Sequence, residues 1–240
     1  LQSSRSIGKL MEKVTICTNW DGSGYYPIEY VNRLYRACLR NTDRAIDFVL
    51  YAGPEAKGKI GGLNANIRVV PIDLPHWWSK CEFWKHPTPG VNTETRLWID
   101  LDVVVVGNLD ALIDWPSRFC CSRDWTERNA PAGHVDDAND GVTLLRGDAG
   151  SWLWDEYVQH GKPTWKPFDP TIDHSPLPLA MMTLINSRRG CCDLYPTELC
   201  ASYKYTVQKH GLPGGCVTVH FHGRPKPHEV DDGFVKECWI

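Results

Sequence analysis

Two short stretches carry the residue types that could do chemistry in this chain. The first is Arg96-Leu97-Trp98-Ile99-Asp100-Leu101-Asp102-Val103-Val104-Val105-Val106-Gly107, in which two aspartates interrupt an apolar run. The second, far downstream, is His220-Phe221-His222-Gly223-Arg224-Pro225-Lys226-Pro227. In an extended segment successive side chains alternate between faces, so Asp100 and Asp102 point the same way and Leu101 points into the packing. Two neighbouring carboxylates repel each other, and a divalent cation, which favours oxygen ligands, would relieve that repulsion. Such a cation could in turn hold a diphosphate.

The elements that must position these residues follow from hydrophobic pattern. Lys13 to Asn19 reads as a buried strand, and Glu29 to Leu39 as an amphipathic helix with Tyr30, Val31, Leu34, Tyr35 and Cys38 at helical spacing. Strands are predicted over Asp47 to Ala52 and Ile67 to Ile72, and a tryptophan-rich helix over Trp77 to Trp84. Leu97 to Val105 is the strongest strand, apolar on both faces as a central strand of a mostly parallel sheet would be. A helical turn over Leu109 to Ile113, strands over Arg118 to Arg123 and Gly141 to Leu145, and a helix over Ser151 to His160 follow. Gly161 to Pro178 reads as a long ordered loop or lid, Pro178 to Ser187 as a helix, and Cys216 to Phe221 as a last strand before a proline-punctuated tail. Alternating β and α units predict an α/β sandwich, mostly parallel and flanked by helices, with its ligand beyond the carboxyl ends of the strands. Residues 1–10 are polar and irregular and read as a cloning remnant or a frayed leader, leaving 11–240 as one domain.

Composition narrows the class. The chain has 240 residues, 42% of them hydrophobic, and a formal net charge of −3, so no global attraction to nucleic acid or acidic membrane is evident. No run approaches the ~20 consecutive apolar residues of a membrane span, and the expected address is cytoplasmic. The 10 cysteines show no C-x-x-C pairing, which favours reduced core thiols over zinc, with the adjacent pairs Cys120-Cys121 and Cys191-Cys192 open to oxidation.

Taken together, the D-x-D of Asp100-Leu101-Asp102, the segment Asn139-Asp140-Gly141-Val142 and the terminal H-x-x-G-x-x-K-P resemble nucleotide-sugar-dependent glycosyltransferases of the GT-A fold. The likeness is to the retaining family that contains glycogenin and the lipopolysaccharide galactosyltransferases. The resemblance implies a GT-A (Rossmann-like) sandwich and transfer of a hexose from a nucleotide-sugar donor, with UDP as the carrier. It also implies Mn²⁺ (or Mg²⁺) held by Asp100, Asp102 and His220, with Asp100 contacting the ribose or a metal-bound water. Lys226, assisted by backbone near Gly223, would neutralise the donor diphosphate.

By the same likeness Thr18, Asn19 and Trp20 end the first strand where the nucleobase is held. Trp20, Tyr25 or Tyr26 could stack on the base, core packing being the competing reading for Trp20. Lys80 could reach the nucleotide or phosphate, or could lie on a solvated helix face. At the sugar carbon the candidates are Asp173, in Thr171-Ile172-Asp173-His174, and Asp140, which reads equally as a turn residue before Gly141. Ile172 stands where the family would place a polar partner. His222 and His228 could support the metal ligand or touch the acceptor, and Trp152 and Trp154 could line an acceptor groove or pack in the core. Acceptors of resembling enzymes include glycans, lipid-linked sugars, proteins and modified DNA bases. Two other readings are a sugar-nucleotide nucleotidyltransferase and a non-catalytic carbohydrate- or nucleic-acid-binding module. The first lacks a basic phosphate loop after the first strand, where no lysine or arginine appears before Arg33.

Overall fold

The computed structural model describes residues 13–74, 76–92, 94–125, 137–160, 184–188 and 190–240. Its centre is a seven-stranded sheet in the order β3-β2-β1-β4-β7-β6-β8. The strands are β1 (Val14–Trp20), β2 (Ile46–Ala52), β3 (Arg68–Pro71), β4 (Thr95–Ile99), β6 (Phe119–Arg123), β7 (Ala138–Arg146) and β8 (Asp193–Leu194). The pairs β3/β2, β2/β1, β1/β4 and β6/β8 are parallel, and β7 runs antiparallel to both β4 and β6. A second sheet of three strands has the order β5-β10-β9, with β5 (Val103–Val105), β9 (Cys200–Ser202) and β10 (Thr218–His220).

Period-two alternation explains the layering. Val14, Ile16, Phe48, Leu50, Leu97 and Ile99 face one core, and Cys17, Val49, Tyr51 and Trp98 face the other. The first core is covered by α1 (Glu29–Arg40), whose buried Tyr30, Val31, Leu34, Tyr35 and Cys38 form its apolar stripe. The second is covered by a 3₁₀ turn (His76–Lys80), which leads into the short helix α2 (Cys81–Trp84), and by α4 (Ser151–His160). Another short helix, α3 (Asp110–Ile113), follows β5. All ten cysteines are free thiols, seven of them buried, and among the described residues no helix is long and apolar enough to cross a membrane.

Three expectations change. The strand foreseen over Leu97 to Val105 is two strands in different sheets: β4 ends at Ile99 beside β7, and β5 begins at Val103 beside β10. Hydrophobicity is continuous across the break because both halves are buried, so pattern alone could not show it. The tryptophan-rich helix is a 3₁₀ turn followed by a single α-helical turn. The short strands β8 and β9 and the C-terminal helix Gly233–Cys238 were not foreseen, being too short or too polar to show a period. The stretch Gly161 to Pro178 lies outside the described residues, and of the helix predicted over Pro178 to Ser187 only 184–187 is described, as helix.

Arg96 ties this frame to the site. Buried in the middle of β4, it donates from Nη1 to the carbonyls of Phe83 (2.6 Å) and Lys85 (3.1 Å) and from Nη2 to that of Gly147 (3.3 Å). It therefore anchors the end of the segment that carries Lys80. Replacing Arg96 with Leu removes all three bonds, leaving the Lys85 carbonyl only the Thr88 hydroxyl (2.9 Å), and should cost about 3 kcal/mol in urea unfolding while the fold persists. A loss below about 0.5 kcal/mol, the range of ordinary surface changes, would show that the anchor is dispensable.

Candidate functional site

The site lies at the seam between the two sheets. At the end of β4 the Asp100 backbone N–H still donates to Gly141 of β7 (2.9 Å), and a tight turn then closes through Val103 N–H to the Asp100 carbonyl (3.1 Å). Beyond it β5 pairs with β10, and Phe221 N–H donates to the Asp102 carbonyl (3.0 Å). Asp100-Leu101-Asp102 is thus the turn by which the chain changes sheets. Leu101 is buried, as alternation predicted, while the two carboxylates belong to a turn and not to a regular strand.

Each carboxylate has its own lysine. Lys80 Nζ donates to Asp100 Oδ1 (3.0 Å) and to the Asp140 carbonyl (2.8 Å), and lies 3.1 Å from Asp140 Oδ2, at an angle too poor for a hydrogen bond. Lys226 Nζ donates to Asp102 Oδ2 (2.6 Å) and to the Phe221 carbonyl (3.2 Å). Trp98 Nε1 donates to Asp100 Oδ1 (2.6 Å), and the Tyr26 hydroxyl to Asp102 Oδ2 (3.0 Å).

Burial pushes the Asp100 carboxyl up to about 6, with Lys80 opposing and Asp140 and Asp102 adding, although 32% of its side chain still reaches solvent. Burial works the same way on Asp102, but the Lys226 ammonium and the Tyr26 hydroxyl outweigh it and hold that carboxyl below the ordinary range. Burial also opposes the charge on Lys80, which Asp100 and Asp140 nevertheless keep above its usual value.

His220, on the last residue of β10, is buried, and burial pushes its imidazole down to about 3 despite Asp102 nearby. It is therefore neutral at any ordinary pH and has an unprotonated nitrogen to offer. Its ring packs against Trp125 (centroids 4.6 Å) and against Gly141, where a Cβ would stand 2.9 Å from His220 Nδ1 and 2.9 Å from Asn139 Oδ1. Glycine is required at 141 because the imidazole occupies the space of a side chain.

Two carboxylates and a neutral imidazole are donors that Mn²⁺ or Mg²⁺ accepts, so Asp100, Asp102 and His220 fit such an ion by their chemistry. Among the described residues no three His, Cys, Asp or Glu side chains are already gathered as a metal cage. The lysines occupy the carboxylates instead.

The other expected residues divide. Lys80 is not on a solvated face; it is held between Asp100 and Asp140. Asp140 is not a turn residue; it is buried within β7, beside a register shift against β6. Trp20 is 5% exposed and donates from Nε1 to the Tyr26 carbonyl (2.8 Å), which is the core role, while Tyr25 reaches solvent from the irregular segment that follows β1. Thr18 is buried with its hydroxyl unpaired among the described residues, and Asn19 Nδ2 donates to Ser79 Oγ (2.6 Å), joining the end of β1 to the turn that carries Lys80. Gly223 has φ +66°, a conformation glycine adopts without strain. His222 meets Ser202 Oγ at Nε2 (2.8 Å), and His228 bonds the Tyr30 hydroxyl. Trp152 and Trp154 are half-buried on α4. Asp173 lies outside the described residues.

Sequence reasoning missed Tyr26 and Trp98 as partners of the carboxylates and Trp125 as the wall of His220. A tyrosine or tryptophan beside an acid in space leaves no mark in local spacing.

No protein family's sequence profile matches the chain, and no curated protein does. Solved structures do. The galactosyltransferase LgtC, crystallised with donor and acceptor sugar analogues, is 16% identical with a TM-score of 0.58, over 90% of this chain and 89% of that one. The bifunctional glycosyltransferase WbbM is 14% identical with a TM-score of 0.61 over 94% of this chain, which spans 48% of WbbM. Mouse xyloside xylosyltransferase 1 is 12% identical with a TM-score of 0.53, over 89% of this chain and 98% of that one. The chain has the GT-A glycosyltransferase fold.

Two outcomes test the geometry. Gly141→Ala drives a methyl into the His220 ring, and should displace the imidazole enough to weaken Mn²⁺ affinity at least about tenfold, while costing only about 1–3 kcal/mol of stability; unchanged affinity would separate His220 from the metal. Because the folded Asp102 pKa is depressed, the stability it contributes is present above the ordinary carboxylate value of 3.8 and is lost as pH falls through the folded value. Asp102→Asn should therefore destabilise the chain by about 3 kcal/mol at pH 7 in urea unfolding, with a gap to the wild type that narrows below about pH 4. A gap that stays constant with pH would refute the ion pair.

Proposed function

We propose that the chain is a metal-dependent glycosyltransferase that moves a hexose from a nucleotide-sugar, with UDP as the carrier, to an acceptor. The observation that carries this reading is the meeting of the two motifs: Lys226 Nζ reaches Asp102 at 2.6 Å across 124 residues of sequence, and His220 enters the same seam. The GT-A fold supports it. The UDP carrier and the retaining outcome rest on the resemblance of the motifs.

Breaking a sugar–phosphate bond leaves negative charge on the departing diphosphate, and fixed positive charges lower the cost of forming it. A divalent cation held by Asp100, Asp102 and His220 would supply part of that charge. The remaining work falls to the chain's own residues. Lys226 presents an ammonium at the seam, and the bare backbone at Gly223 lets a phosphate oxygen approach closely. Lys80, clamped by Asp140, fixes the direction of the Asp100 carboxylate. The nucleoside lies at the carboxyl end of β1, beside Thr18, Asn19 and Tyr25, where open α/β sheets place their ligands. Asp173 is proposed to touch the donor hydroxyls. Asp140, buried under Lys80, is better suited to hold that lysine than to act as a base. The acceptor is a hydroxyl-bearing molecule among glycans, lipid-linked sugars, proteins and modified DNA bases.

Calorimetric titration of UDP, GDP and their hexose conjugates, with Mn²⁺ and then with chelator, tests the reading. Tight binding of one nucleotide that chelator abolishes is expected. Asp102→Ala and His220→Ala should each cost at least about a hundredfold in transfer, since removing a fixed charge-stabilising group usually does. Intact Mn²⁺ affinity and transfer in both variants would exclude the metal assignment.

A further inference from the structure

Beside the seam stands a cation with no role so far. Tyr203–Val207 is a single π-helical turn that follows β9 directly, and β9 lies parallel to β10, the strand of His220. Such turns are rare and occur often at functional sites. Ser202 fixes this one from below: its hydroxyl accepts from Tyr205 N–H (3.2 Å) and meets His222 Nε2 (2.8 Å). The His222 ring stacks with both Trp125 (5.8 Å between centroids, 2° between planes) and Tyr205 (5.4 Å, 15°). The turn is therefore locked to the His220–Lys226 segment.

The consequence falls on Lys204. Its ammonium lies 3.0 Å from where a Cβ on Gly223 would stand, so it is aimed at the backbone of the one glycine in the segment, at positive φ. Among the described residues Lys204 has no hydrogen-bond acceptor and no carboxylate, whereas Lys80 and Lys226 each hold one. A solvated surface lysine would be free to point anywhere; this one is half-buried and directed at the Gly223 backbone that the proposed function places against a phosphate.

We propose that Lys204 is a second diphosphate-binding residue, gripping the donor together with Lys226 at the Gly223 backbone. This rests on the reading of the chain as a nucleotide-sugar transferase. Since Asp102 occupies Lys226 while Lys204 is unpaired among the described residues, Lys204 is the cation available to a phosphate before any metal draws Asp102 away. Neither the D-x-D nor the terminal motif includes this lysine.

The experiment is calorimetric titration of inorganic pyrophosphate, UDP and uridine into the wild type, Lys204→Met, Lys204→Arg and Lys226→Met, in chelator and with Mn²⁺, with circular dichroism to confirm folding. Lys204→Met should weaken pyrophosphate and UDP about tenfold or more, the scale of one lost charge-assisted contact, and leave uridine unchanged. Lys204→Arg should restore most of the loss. In chelator Lys204→Met should cost more than Lys226→Met. Unchanged UDP and pyrophosphate affinity in Lys204→Met, with the wild type binding both, would overturn the proposal and leave the transferase reading standing. Wild-type binding of pyrophosphate but of no nucleotide, lost in Lys204→Met, would support the anion site and sink the transferase reading. If the wild type binds neither, both fall.

Discussion

The chain changes sheets between Ile99 and Val103, and every feature of the site depends on that transfer. A strand that continued straight would place Asp100 and Asp102 on one face of one sheet, with a common environment. The turn instead leaves Asp100 at the end of β4, the central strand of the seven-stranded sheet, beside β7, and gives Asp102 to the three-stranded sheet, beside β10. The same step brings His220 and Lys226, from the far end of the sequence, to residues that precede them by more than a hundred positions. Leu101 buries its side chain at the break and so fixes which way the flanking carboxylates turn.

Burial makes the charge pattern costly unless it is paired, and the pairing is specific. A buried carboxylate without a counterion loses several kcal/mol of hydration. Asp102 meets this with Lys226 and Tyr26, while Asp100 shares Lys80 with Asp140. Three acids and two lysines leave one net negative charge at the seam, since His220 is neutral. That residual charge favours a cation over an anion at Asp100, whereas Lys204, unpaired among the described residues, favours an anion at Gly223. The two preferences lie side by side, which is the arrangement that a cation–diphosphate pair requires.

Much of this was legible in the sequence, for identifiable reasons. β1, β2, α1 and α4 are long and periodic enough that pattern decides them. Asp100, Asp102, His220 and Lys226 were legible because chemically distinctive residues stand in a run of apolar or turn-forming neighbours. The sheet switch was hidden because Val103, Val104 and Val105 are as buried after the break as Leu97 and Trp98 are before it. For Asp140 a turn reading stood beside the sugar-contact reading because Asn-Asp-Gly is a strong turn signal. In the structure Gly141 is needed for the His220 ring, and Asp140 for Lys80, so tertiary demands and not a turn chose those residues.

The lysines at the seam are also each held from two sides. Lys80 and Lys226 are fixed through backbone carbonyls, of Asp140 and Phe221, as well as through carboxylates. A carboxylate drawn towards an incoming cation would therefore leave its lysine tethered where it stands, with an ammonium proton newly free. For Lys226 that freed donor lies in the segment of Gly223, at which the Lys204 ammonium is aimed. The charge that stabilises the folded chain and the charge that a diphosphate would meet are then the same ammonium group, and binding exchanges its partner without requiring the backbone to be rebuilt.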